Sequence, residues 1–96
     1  MIRTFKNKKL RRLFEDDQAK GIEQGLVPRL KRRLDALDAA TAAADLDLPG
    51  FDLHQLKGDR RGTWSVKVSG NWRVTFTFKD GDAYDVDLED YHWPVT

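Results

Sequence analysis

Hydrophobic positions recur along this chain with two periods, and the change comes at Pro49-Gly50. Ahead of that point the spacing is helical. Leu10, Leu13 and Phe14 fall at i, i+3, i+4, so they share one face of a helix over residues 8–16, which Asn7 can cap. Val27, Leu30, Leu34 and Leu37 make a second stripe, and Pro28 suits the first turn of that segment. The spacing predicts a start near Lys20, weakened by Gly21 and Gly25. The alanines at 39, 40 and 42–44 extend the prediction toward Pro49-Gly50, which ends it. Residues 2–5 read as a short edge strand in front of both helices.

Beyond Gly50 the period becomes two. Residues 51–56 read as a first strand, 57–62 as a loop and 63–68 as a second strand with Trp64, Val66 and Val68 on one face. Ser69-Gly70-Asn71 turns the chain. Trp72, Val74, Phe76 and Phe78 then share one face of a third strand, with Arg73, Thr75, Thr77 and Lys79 on the other. Asp80-Gly81 is a strong two-residue hairpin signal. On the fourth strand the alternation puts Tyr84, Val86 and Leu88 inward and Asp85, Asp87 and Glu89 outward. Short turns make these neighbours antiparallel. The prediction is an α+β domain spanning residues 1–96: two N-terminal helices packed on the apolar face of a small, mainly antiparallel twisted sheet.

Composition narrows the chemistry. With 96 residues the chain builds one small core, and with no Cys it forms neither disulfides nor thiolate metal sites. No obvious metal cluster appears, and no Walker loop or G-x-G-x-x-G is present. No apolar run nears the roughly 20 residues of a membrane helix and no signal peptide opens the chain, which predicts a cytoplasmic protein without a membrane partner. The net charge of +1 hides segregation: residues 1–33 hold eleven Lys or Arg against four acids, and residues 34–55 hold five Asp and no Lys or Arg. Residues 56–73 are again basic and 74–96 acidic. A localised basic surface follows, made of Lys8, Lys9, Arg11, Arg12, Arg29, Lys31, Arg32, Arg33, Arg60 and Arg61. These are candidate contacts to RNA phosphates, against the plainer reading of a solvated, salt-bridged face.

Parity then gathers a candidate site. Arg73 and Tyr91 point away from the aromatic core onto the open face, and His54 and Lys57 sit at the end of the first strand. A His, a Lys, an Arg and a Tyr suit phosphodiester chemistry. His can transfer protons near neutral pH, Arg can clamp two phosphate oxygens, Lys can hold a phosphate or act as base, and Tyr can stack on a nucleobase. The rival for Arg73 is a cross-strand ion pair with Asp85 or Asp87. Trp64 and Trp72 alternate with core residues and are expected to pack rather than stack.

The fragments L-H-Q-L-K-G-D, G-T-W-S-V, G-N-W-R-V-T-F, D-G-D-A-Y and E-D-Y-H, in this order, resemble HigB-type toxins of the RelE/ParE toxin–antitoxin superfamily. D-A-L-D-A-A and D-L-P-G extend the likeness through the acidic stretch. The resemblance implies the RelE/ParE-like, microbial ribonuclease-type fold and a ribosome-dependent messenger RNA endonuclease. It implies the site set His54, Lys57, Arg73, Tyr91 and His92. It also implies a cognate HigA-type helix-turn-helix antitoxin, with DNA met only through that partner. The residues themselves suit attack by the ribose 2′-OH without a metal, so no cofactor is expected. The free toxin is expected to be a monomer, since the helical stripes leave no large apolar face uncovered. Residues 93–96 extend past His92, where many members of the family stop. Two other readings fit the superfamily: a ParE-like inhibitor of DNA gyrase, and a non-catalytic binder of the ribosome.

Overall fold

The computed structural model describes residues 1–91. His92 and the tail at 93–96 lie outside the described residues. The first helix, α1 (Lys8–Asp16), starts where Asn7 Oδ1 accepts from the backbone N–H groups of Lys9 at 2.9 Å and Leu10 at 3.2 Å. Two donors that a helix start leaves without partners are thereby satisfied. The second, α2 (Val27–Ala39), opens with Pro28 in its first turn, after a single 3-10 turn at Gln24–Leu26. Its start near Lys20 is therefore corrected: Gly21 takes φ +81 and turns the chain instead. The extension through the alanines is corrected too. The Asp45 carboxylate accepts from the N–H groups of Thr41 and Ala42, which pulls the chain into a separate 3-10 turn at Ala43–Leu46. A local side-chain acceptor wins over the helical preference of alanine, the strongest of any residue.

The sheet runs in the order β1 (His54–Gln55), β2 (Thr63–Ser69), β3 (Trp72–Lys79), β4 (Asp82–Asp90), every pair antiparallel. Residues 2–5 do form an edge, as two parallel bridges to β4, Ile2 with Ala83 and Phe5 with Val86. The Asp80-Gly81 hairpin is present, both residues at positive φ (53 and 83) as a two-residue turn of this twist requires. The first strand is much shorter than expected. Phe51 sits in a turn and Asp52 takes φ 46, so extended backbone begins only at His54.

Both helices cover one face of the sheet. Leu10, Leu30, Leu34, Val74, Phe76, Ala83 and Val86 are fully buried in one cluster with Leu13, Leu37 and Val66. The register slips at two points, between Lys67 and Ser69 on β2 and within the β3–β4 pair. The β3–β4 register slips between Thr75 and Thr77, so Thr75 opposes Asp87 but Thr77 opposes Tyr84. The extra residue is accommodated at Asp85, at φ 56. Ala83 and Val86 therefore enter the core, whereas Tyr84, expected inward, lies opposite Thr77 on the other face. Trp64 packs against the core as expected, while Trp72 is 36% exposed.

Candidate active site on the open sheet face

Register builds the site across all four strands. His54 opposes Ser65, Ser65 opposes Thr75, and Thr75 opposes Asp87. The adjoining row is Lys67, Arg73 and Glu89. Side chains in such rows share one face, here the face that the helices leave uncovered. Arg73 thus has the orientation parity assigns to it. It is nonetheless only 3% exposed, because the segment around Asp52 folds over it.

That segment explains the geometry of the first group. Arg73 Nε donates to Ser65 Oγ at 2.8 Å, and Nη2 donates to the Asp52 carbonyl oxygen. Nη1 reaches Asp52 Oδ2 at 3.4 Å. His54 Nδ1 lies 3.0 Å from the Asp52 carbonyl oxygen, 3.3 Å from Oδ1 and 3.4 Å from Arg73 Nη2. Two Asp52 acceptors around Nδ1 favour the tautomer that carries its proton there, in which Nε2 is the acceptor. The left-handed backbone at Asp52 brings its carbonyl and its carboxylate to the same two partners, a conformation that Asp adopts more readily than most residues. Arg73 therefore pairs with Asp52 and not with Asp85 or Asp87, its rival cross-strand partners.

A second group lies beside the first. Arg60 grips Glu89 with both ends of its guanidinium, at 2.7 and 2.6 Å, and Thr75 Oγ1 donates to the same carboxylate at 2.5 Å. These bonds, Arg60 first, hold the Glu89 carboxyl below the usual carboxylate range, against a desolvation that pushes it up. Glu89 in turn raises the Arg60 guanidinium, and the fields of Tyr91 and Asp87 act on it in the same direction. Tyr91 is half-buried just past β4, its N–H donating to the Asn71 carbonyl at 2.8 Å. Lys57 is exposed at the head of the 3-10 turn Gly58–Arg60. A polar recess of about 230 Å³ opens next to Arg60, lined by Lys6, Asp59, Thr63, Thr75 and Thr77 among others.

The ten basic candidates divide. Lys8, Lys9, Arg11, Arg12, Arg29, Lys31, Arg32 and Arg61 are exposed. Lys31 pairs with Asp17, and Arg60 is committed to Glu89. Arg33 departs most from the surface role expected of it. It is 6% exposed, donates to the carbonyls of Lys67 at 2.8 Å and Gly50 at 3.1 Å, and stacks 4.4 Å above the Phe51 ring. Burial, more than its neighbours Arg32 and Arg29, lowers its pKa. The helix cations also belong to the layer on the other face of the sheet from His54 and Arg73.

Sequence reasoning passed over Asp52, Ser65, Thr75 and Glu89. Parity alone would have found the middle two, since both alternate onto the face of Arg73. Glu89 was legible as an outward acid but not as the partner of Arg60. No helix among the described residues is long and apolar enough to cross a membrane.

Comparison with known proteins agrees with this architecture. The sequence model of the family described as the RelE-like toxin of type II toxin-antitoxin system HigB matches residues 3–92. Endoribonuclease HigB of Proteus vulgaris is 48% identical over 92 residues, which is 96% of this chain and all of that protein. Toxin HigB-1 of Vibrio cholerae serotype O1 is 34% identical over 95 residues, 97% of this chain and again all of that protein. Among solved structures, a YafQ mutant from E. coli superposes with a TM-score of 0.58 at 16% identity, covering 92% of this chain and 91% of that one. A YoeB-YefM complex from Staphylococcus aureus gives 0.57 at 14% identity, covering 97% and 99%. The two structural likenesses speak for the fold. Because the family match and both sequence relatives run essentially end to end, the chain belongs to the HigB family of RelE-like toxins of type II toxin–antitoxin systems.

Proposed function

We propose that this toxin is an endoribonuclease that cuts messenger RNA held on the ribosome, by metal-independent attack of the ribose 2′-OH. A helix-turn-helix antitoxin of HigA type would restrain it. The observation that carries the reading is the meeting of a histidine and a buried arginine within 3.4 Å on the open face of the sheet. The name of the Proteus relative, an endoribonuclease, points the same way.

The chemistry needs three services. The 2′-OH must lose its proton as its oxygen attacks phosphorus. The phosphate must be stabilised while five-coordinate. The 5′ oxygen must gain a proton as its bond to phosphorus breaks, leaving a cyclic phosphate and a free 5′-OH. His54 Nε2, left as an acceptor by the contacts of Nδ1 with Asp52, suits the first service, with Lys57 sharing the base or phosphate-binding role. Arg73 suits the second. Its Nε is pinned by Ser65, while Nη1 meets Asp52 only at 3.4 Å, and the Asp52 side chain is half exposed. A phosphate oxygen would displace that carboxylate and take over the guanidinium edge. Tyr91 would position the substrate, and His92 would serve as acid.

The test is mapping of new 5′ ends in cellular messenger RNA after the toxin is induced without its antitoxin. Wild type should generate them. Arg73→Lys and Lys57→Ala should each cut about 100-fold less, the scale of losing one transition-state donor. If both variants still arrest growth and cleave message, the site assignment fails. Arrest without new ends would indicate non-catalytic ribosome binding, and arrested supercoiling would indicate gyrase.

A further inference from the structure

The Arg60–Glu89 pair stands out among the ion pairs of the described residues. It is bidentate, it shares its carboxylate with Thr75, which is only 2% exposed, and it joins two segments 29 residues apart. Each segment carries a candidate site residue. Arg60 closes the 3-10 turn whose head is Lys57, and Glu89 stands two positions before Tyr91. Few other constraints act on that turn. Its termini are tied by the bond from the Leu56 N–H to the Thr63 carbonyl at 2.8 Å and by the Arg61 N–H to the Gly58 carbonyl at 3.2 Å. None of its residues is buried, and Gly58 and Gly62 both take positive φ with open space around them. A turn of this composition samples many conformations unless a side chain ties it to the sheet.

We infer that Arg60 and Glu89, with Thr75, form a latch that positions Lys57 against the sheet and Tyr91, and that Arg60 is a positioning residue rather than a contact to RNA phosphate. The inference rests on the endoribonuclease reading for what the latch serves, not for its existence. The guanidinium fork matches the carboxylate at both ends, so the pair restricts rotation as well as distance. Thr75 supports the carboxylate from below, which fixes the plane in which Arg60 is held. The latch also reserves Arg60, since its fork is filled by a carboxylate that would repel phosphate at the same spot. Rate depends steeply on such placement, because a shift of about 1 Å in a reacting group costs on the order of 100-fold.

A double-mutant cycle with Arg60→Lys and Glu89→Gln tests this. Arg60→Lys keeps the charge but removes the fork, and Glu89→Gln keeps an acceptor for Thr75 but removes the charge. Each should lower kcat for message cleavage ~10- to 100-fold with KM within about twofold. The double variant should be no worse than either single one, because the same interaction is absent from all three. Hydrogen exchange of the Arg61 amide, which bonds to the Gly58 carbonyl, and of the Leu56 amide, which bonds to the Thr63 carbonyl, supplies a readout independent of activity, and should accelerate in each variant about tenfold or more. A phosphate contact predicts otherwise: Arg60→Lys would be mild, Glu89→Gln would lower KM by releasing Arg60 to RNA, and the effects would add. Additive effects, or unchanged exchange in Glu89→Gln, would overturn the latch. Absence of cleavage by the wild-type toxin would instead overturn the functional reading on which its purpose rests.

Discussion

Arg33 and Arg60 hold their charges in opposite settings. Arg33 is buried among carbonyl oxygens and the Phe51 ring, with cations for neighbours, and its pKa falls. Arg60 is half-exposed against Glu89, and its pKa rises. The first arrangement satisfies donors that packing has taken out of water. The second holds a turn in place. Because the folded-state pKa of Glu89 is depressed, its ionisation adds stability at pH above the unfolded value of about 4.3. That contribution disappears as pH falls through the lower folded value. Glu89→Gln should therefore melt below wild type at neutral pH, and the two should converge as acid is added. Thermal unfolding followed from pH 7 to below about 3 checks this, and parallel curves would show that the pair does not couple to folding.

Among the elements, the caps and the hairpin were the most legible. Asn7 before Leu10, Leu13 and Phe14, and Asp80-Gly81 between two alternating runs, are local signals, and local chemistry decides them. Asn7→Ala should cost about 1 kcal/mol by leaving two helix donors without their acceptor. For a domain this small that lowers Tm by roughly 4–8 °C, and a melting curve unchanged within error would count against the cap. The elements that were misread fail for a different reason. Strand 51–56 shrinks to His54–Gln55 because Asp52 turns into the left-handed region to meet Arg73 and His54. The fourth strand loses its alternation at Asp85 because Ala83 and Val86 bond to residues 1–6 at the edge. In both cases a partner distant in sequence overrides the local period.

At the scale of the whole molecule, the two layers divide the work. One face of the sheet, with the helices, forms the core, and the other gathers His54, Arg73, Glu89 and the polar row between them. The exposed cations Lys8, Lys9, Arg11 and Arg12 sit on the helical layer, away from that face. If they meet ribosomal RNA, they do so as an anchor and not as part of the reacting group. Replacing all four with Gln should flatten the salt dependence of ribosome binding by about 0.7–0.9 in the log–log slope for each phosphate that these side chains neutralise. Binding measured from low to moderate salt checks this, and an unchanged slope would assign the anchor to another surface.

The chain by itself determined the fold class, the two helical stripes, the parity of β2 and β3, and the likeness that points to His54, Lys57, Arg73 and Tyr91. These depend on period and on short-range chemistry, which are written in neighbouring residues. The tertiary structure decided which charges are spent on the fold and which remain for a site. Arg33 and Arg73 each precede a buried apolar residue and both are buried, yet one is committed to backbone carbonyls and the other to Ser65, Asp52 and His54. That choice depends on which acceptor arrives from elsewhere in the chain, at a distance where one hydrogen bond either forms or does not. Spacing along the sequence carries no information about such an encounter until the sheet has brought its rows together.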